Sequence, residues 1–143
     1  MAELPDDVYD EIKRLCADGD ALAQDGAYKE AIAEYNKAWK LIPMPKGDWN
    51  ASLWVVVAIA DAAFLGNNFK MARKALDSAL ALEQSIGNPF VHLRNGQVHF
   101  EDGELDDAAH HLMLAYMSEG KAIFENDDPK YYAFLKTRAR DLE

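Results

Sequence analysis

Little in this sequence could hold a chain together except a packed core. Cysteine occurs once, at Cys16, so no disulfide can close within the chain and a reducing, cytoplasmic home is expected. Basic residues are scarce, 15 against 25 aspartates and glutamates, which gives a formal charge of −10. So negative a surface repels phosphate backbones and anionic lipid, and neither nucleic acid nor membrane is expected as a partner. Long apolar runs are also missing. The longest, Leu53 to Leu65, is interrupted by Asp61 and falls short of the roughly 20 residues a spanning helix needs, so a buried helix is expected there. The opening MAELPDDVYDEI is acidic where a secretory leader has a basic start and an apolar stretch, and no leader is expected. No stretch rich in glycine, serine or proline interrupts the chain and no block of five like charges occurs. One domain over residues 1–143 is therefore expected. A chain of this length buries roughly two-thirds of its unfolded surface and needs neither a metal nor disulfides to hold a core, and no cofactor is expected.

What is present is an internal repeat. The stretches DGAYKEAIAEYNKAW, NNFKMARKALDSAL and DGELDDAAHHLMLAY share a turn, an aromatic or leucine, two residues, and an alanine opening an apolar helix face. Their registering alanines, Ala31, Ala72 and Ala108, lie 41 and 36 residues apart, the spacing of stacked helical pairs. In the first unit, Val8, Ile12, Leu15, Ala17, Leu22 and Ala23 form one face before the Asp25-Gly26 turn. Ala31, Ile32, Tyr35, Ala38, Trp39 and Ile42 form the next, which Pro43 and Pro45 stop. Asn88-Pro89 and Asp128-Pro129 each supply a capping side chain and a proline at the first helical position. The last segment, Pro129 to Leu142, repeats nothing upstream. Its mixture of Tyr131, Tyr132, Phe134 and Leu135 with Lys136, Arg138 and Arg140 suits a capping helix.

These residues resemble the tetratricopeptide repeat family, whose repeats are pairs of antiparallel helices. Leu15, Gly19, Leu22, Ala31, Tyr35, Ala38 and Pro43 follow its pattern in the first repeat, with Asp18 in place of a leucine. Val56, Ile59, Ala60, Ala63, Ala72, Leu76 and Ala79 follow it in the second, where Gln84 replaces the closing proline. Gly96, Ala108, Leu112 and Ala115 follow it in the third, where His92, Asn95 and His99 stand at apolar positions. The resemblance implies an all-α fold, with repeats at about 5–43, 48–86 and 88–126 in a right-handed α-α superhelix and a capping helix at about 128–142. The extra length of the first interval falls in PMPKGDWN.

It also implies a concave wall lined by the first helix of each pair. Lys13, Cys16, Asp20 and Gln24 line it in the first repeat, and Trp54, Val57, Asp61 and Phe64 in the second. Phe90, Leu93, Gln97, Phe100 and Glu101 line it in the third. Some members hold a chaperone's C-terminal carboxylate with lysine, arginine and asparagine here. Cys16, Asp20, Asp61, Leu93 and Gln97 occupy those places, so that clamp is absent and a basic polypeptide is the expected ligand. The aromatics of the wall are also candidates for core.

Catalytic chemistry is not expected. His92 and His99 lie seven apart and His110 adjoins His111, unlike the i, i+4 pair of a zinc helix, so no metal site is expected. EDGELDD lacks the order of a calcium loop and reads as an interhelical turn. Cys16 is expected in an acidic setting that does not activate a thiol. The expected function is a noncatalytic protein-binding module. The segment from Gly87 to Leu135 also resembles the end of small bacterial members of the family, which implies an immunity protein masking a basic toxin domain. A secretion chaperone is the alternative in the same mode, and a metal-dependent hydrolase using the third-repeat histidines is the alternative in another class. Trp49, Trp54, Phe90 and the C-terminal aromatics could form a patch for self-association, so a monomer or weak homodimer is expected.

Overall fold

Asn68, Asn88 and Asp128 each accept from the first amides of the helix that follows, and most turns between helices are closed by glycine. The computed structural model, which describes residues 4–139, has seven α-helices and three short 3-10 turns, with no strand among the described residues. The helices are α1 (Asp6–Gln24), α2 (Tyr28–Leu41), α3 (Asn50–Leu65), α4 (Phe69–Leu80), α5 (Pro89–Glu101), α6 (Leu105–Glu119) and α7 (Pro129–Arg138). The expected all-α class is thus the observed one. The two predicted caps form as well: Asn88 accepts from the Phe90 and Val91 amides at 3.0 and 3.2 Å, and Asp128 from the Lys130 amide at 3.0 Å. The expected continuation of the last helix through Arg140 to Leu142 lies outside the described residues. None of the described helices is long and apolar enough to cross a membrane.

The chain divides into two compact units, one ending at Ile86 and the other beginning at Gly87. In the first, α1 packs on α2 and α3 on α4, while α2 also packs on α3. The apolar run of α3 is explained by this position: Val55, Val56, Ile59, Ala60, Ala62 and Ala63 are all buried, so the helix hides most of its circumference. In the second unit, α5 packs on α6 and α7 rests against α6. Ala31, Ala72 and Ala108, the residues that register the repeat, are each fully buried.

Small residues set how closely the paired helices approach. A Cβ added to Gly19 would lie 2.5–2.9 Å from the Tyr35 ring, and one added to Gly96 would lie 2.6 Å from Leu112 Cγ and Cδ2. Both hairpins therefore need glycine at the crossing. Ala17 is the one member of the expected α1 face found exposed. The buried set is Ile12, Leu15, Cys16 and Gly19, and Ala17 points away from that stripe.

The long α2–α3 connection is an ordered structure. Lys46 Nζ donates to the carbonyls of Trp39 and Ile42 at 2.6 and 2.7 Å, closing the C-terminus of α2, and lies 4.6 Å from the centre of the Trp39 ring. Ser52 Oγ donates to the Lys46 carbonyl at 2.6 Å, and Trp49 Nε1 to that of Pro43 at 2.8 Å. Gln84, which stands where the repeat pattern has proline, donates from Nε2 to the carbonyls of Gly47 and Trp49 at 2.8 and 3.2 Å. Its departure from the pattern ties the segment after α4 to the one before α3.

Candidate functional site

In the first unit, Asp20 of α1 and Asp61 of α3 both act on Tyr35 of α2. The Tyr35 hydroxyl donates to Asp20 Oδ1 at 2.6 Å, and Asp61 on α3 is near enough for its charge to act on the same phenol. Burial, then the hydrogen bond to Asp20, then the surrounding negative charge push the Tyr35 hydroxyl well above its ordinary pKa. It therefore remains a donor, and holds Asp20 in one orientation. Cys16 beside it is buried, and burial followed by the charge of Asp20 pushes its thiol up to about 11. A thiol in that state is a poor nucleophile at neutral pH.

Along the same helices, Tyr9 meets the edge of Trp54 with ring centres 6.4 Å apart, and Lys13 Nζ lies 4.6 Å from the centre of the Tyr9 ring. Trp54 keeps 38% of its surface exposed. Asp20 and Gln24 are exposed and Val57 and Asp61 half-buried, whereas Phe64 is buried against Phe69, with ring centres 5.6 Å apart. With Lys13 also exposed, six of the eight wall residues expected in this unit thus reach solvent, and Cys16 and Phe64 do not. A separate groove of about 230 Å³ on the α2, α3 and α4 side is lined by Trp39, Ile59, Met71 and Lys74 and carries no carboxylate.

In the second unit the expected wall is largely occupied by the chain itself. Phe90 is 61% exposed, but Leu93 and Gln97 are buried, and Gln97 Oε1 accepts from Arg94 at 2.8 Å. Phe100 meets Tyr131 and Phe134 of α7 edge-on, with ring centres 5.5 and 5.0 Å apart. Glu101 accepts from the Tyr131 hydroxyl at 2.7 Å and from Lys130 Nζ at 2.6 Å. Burial works against the Glu101 carboxylate, but these hydrogen bonds outweigh it and hold the group below its ordinary pKa. The C-terminal aromatics are spent in the same way: Tyr131 is buried, and Tyr132 packs on Phe124 with ring centres 5.1 Å apart. Trp49 is half-buried and donates to the Pro43 carbonyl, while Trp54 and Phe90 are exposed in their respective units.

The histidines converge, which spacing along one helix does not disclose. His92 Nδ1 of α5 and His111 Nδ1 of α6 are 3.0 Å apart, so one ring donates and the other accepts. His111 also stacks on His99, with ring centres 5.5 Å apart and planes within 3° of parallel. Burial, then the neighbouring imidazoles, push His111 down to about 4, and burial lowers His92 as well. On the other side, His99 Nδ1 lies 3.0 Å from Glu104 Oε1. Donor atoms of His99, Glu104 and Asp107 all fall within 4.8 Å of one another. EDGELDD does form the interhelical turn, and in doing so delivers two carboxylates to an imidazole. The third polar substitution in the repeat, Asn95, is buried and satisfied by donating to the Val91 carbonyl at 3.1 Å. Compared with known protein families and with curated proteins, the sequence matches none of either.

Proposed function

We propose that the chain is a noncatalytic protein-binding module of the tetratricopeptide-repeat kind, an adaptor or immunity protein that takes a basic partner domain, such as a toxin, on the face formed by α1 and α3. The observation that carries this proposal is the grouping of Asp20 and Asp61 about Tyr35, on helices that also present the half-exposed Trp54. A carboxylate held in place by a phenol accepts charge-assisted hydrogen bonds from arginine or lysine with little further ordering. A partly exposed indole supplies the contact area that anchors such a partner. A net charge of −10 draws basic proteins in and speeds their encounter. The neutral thiol of Cys16 supports a role without covalent catalysis.

The test is binding of an arginine-rich peptide carrying aromatic residues, followed by tryptophan fluorescence over a range of salt, with a glutamate-rich peptide of equal length as control. The expected result is binding of the basic peptide alone, weakening as salt rises, and at least a tenfold loss in an Asp20→Lys, Asp61→Lys double variant. Equal binding of both peptides, or indifference to the double variant, refutes the proposal. The neighbouring gene separates the two biological roles: a toxin cassette supports immunity, a secretion operon the chaperone.

A further inference from the structure

We infer that the turn between α5 and α6 is a binding site for a divalent transition-metal ion, held by His99, Glu104 and Asp107. The three ligands come from three consecutive pieces of backbone: the last turn of α5, the residue that opens α6, and the first turn of α6. Their donor atoms lie within 4.8 Å of one another, against the roughly 4.2 Å at most that two bonds of ~2.1 Å can span, so a small closing movement brings all three to one ion. His99 Nδ1 and Glu104 Oε1 are 3.0 Å apart, which for bonds of ~2.1 Å subtends about 90° at the metal. A few tenths of an ångström of opening reaches the tetrahedral angle. Glu104 and Asp107 are three residues apart on one helical face, so both carboxylates address the same point.

The site is also rigid. The Glu104 amide donates to the His99 carbonyl at 2.9 Å, and Gly103, at φ 78°, makes the left-handed turn between them. The His99 side chain is 13% exposed and braced by the parallel ring of His111, which is itself fixed by the 3.0 Å contact with His92. An imidazole oriented by outer neighbours is how proteins position a metal-binding histidine. Asp106, the remaining acidic residue of the first turn of α6, is paired with Arg138 at 2.7 Å and stands apart from the site. One imidazole with two carboxylates favours zinc, cobalt or nickel over calcium and magnesium, with water completing the shell. The ion joins the end of one helix to the start of the next, so its effect is to clamp the hairpin.

The test is titration of the full chain at neutral pH with Co²⁺, read by visible absorption, and with Zn²⁺, read by calorimetry and thermal melting. One ion per chain is expected, with Zn²⁺ displacing Co²⁺, Ca²⁺ and Mg²⁺ failing to do so, and a higher melting temperature in Zn²⁺. His99→Gln and Asp107→Asn should each weaken binding by at least about tenfold. Asp107 is exposed, so its variant keeps the fold, as an unchanged melting temperature without metal would verify. His110→Ala, outside the ligand set, should bind as the unaltered chain does. Absence of a cobalt spectrum and of zinc heat overturns the proposal. So does binding that survives Asp107→Asn or is lost in His110→Ala, since the ion would then sit on other histidines.

Discussion

Replacing Gly96 by alanine should loosen the second unit, although alanine is the better helix former. A methyl at this position of α5 would come 2.6 Å from Leu112 Cγ and Cδ2 and 3.0 Å from the Leu112 backbone nitrogen. Comfortable carbon contacts begin near 3.5 Å, so the overlap is close to an ångström. Leu112 is fully buried and the nearby amide belongs to α6 itself, so relief requires a strained rotamer or a shift of the whole helix. Overpacking costs about 1–3 kcal/mol, and an overlap this deep, partly against a backbone nitrogen, falls in the upper part at about 2–3 kcal/mol, against a gain of about 1 kcal/mol in helix propensity. The net loss is about 1–2 kcal/mol, which for a chain this size lowers the melting temperature by roughly 3–8 °C. Circular dichroism melts measure it, with Gly47→Ala as control because nothing lies within 4 Å of its added Cβ. Adding Leu112→Ala provides a sharper check: the methyl at 96 partly fills the space vacated, so the double variant should cost less than the two single changes summed. A Gly96→Ala protein as stable as the parent, or strict additivity, would refute the close crossing of α5 and α6.

Three further outcomes follow from the same geometry. Glu101 is held below its ordinary pKa in the folded chain, so its contribution is full above that value and disappears as pH falls through the depressed one. Melting temperatures between about pH 5 and 3 should therefore fall less steeply for Glu101→Gln than for the parent. The Cys16 thiol, pushed up to about 11, should react with a disulfide reagent at pH 8 far more slowly in the folded chain than in urea; equal rates would mean that Cys16 is open to solvent. Gln84→Ala removes both hydrogen bonds to the α2–α3 connection and should cost about 1–2 kcal/mol in urea unfolding, whereas no change would mean that the connection holds itself.

The helices were legible through local caps at some of their starts and through the recurring alanine of the repeat. Asn88-Pro89 and Asp128-Pro129 cap the helices they precede, and the fully buried Ala31, Ala72 and Ala108 recur at the same place on successive hairpins. What could not be read from local pattern was which exposed-looking residues the chain would use on itself. Glu101 and Phe100 have the period of an open wall, yet Lys130, Tyr131 and Phe134 arrive some thirty residues later to cover them. The usable signal was the basic and aromatic composition of PKYYAFLKTR, which complements an acidic and aromatic target. The histidines failed in the opposite direction. Counting along one helix separates His92 from His99 and both from His111, while antiparallel packing of α5 on α6 stacks all three. Asp20 is exposed and Asp61 half-buried, and both act on the Tyr35 hydroxyl, a partner on α2 that the period of α1 or α3 does not disclose.

The side-chain amide of Gln84 fastens a loop nearly forty residues upstream. The α2–α3 connection is therefore a seam, and a poor place to splice in foreign sequence. At Gly26 nothing lies within 4 Å of an added Cβ, so a peptide tag or fluorescent reporter grafted there disturbs only the local turn bonds to Ala23 and Leu22 and no distant join.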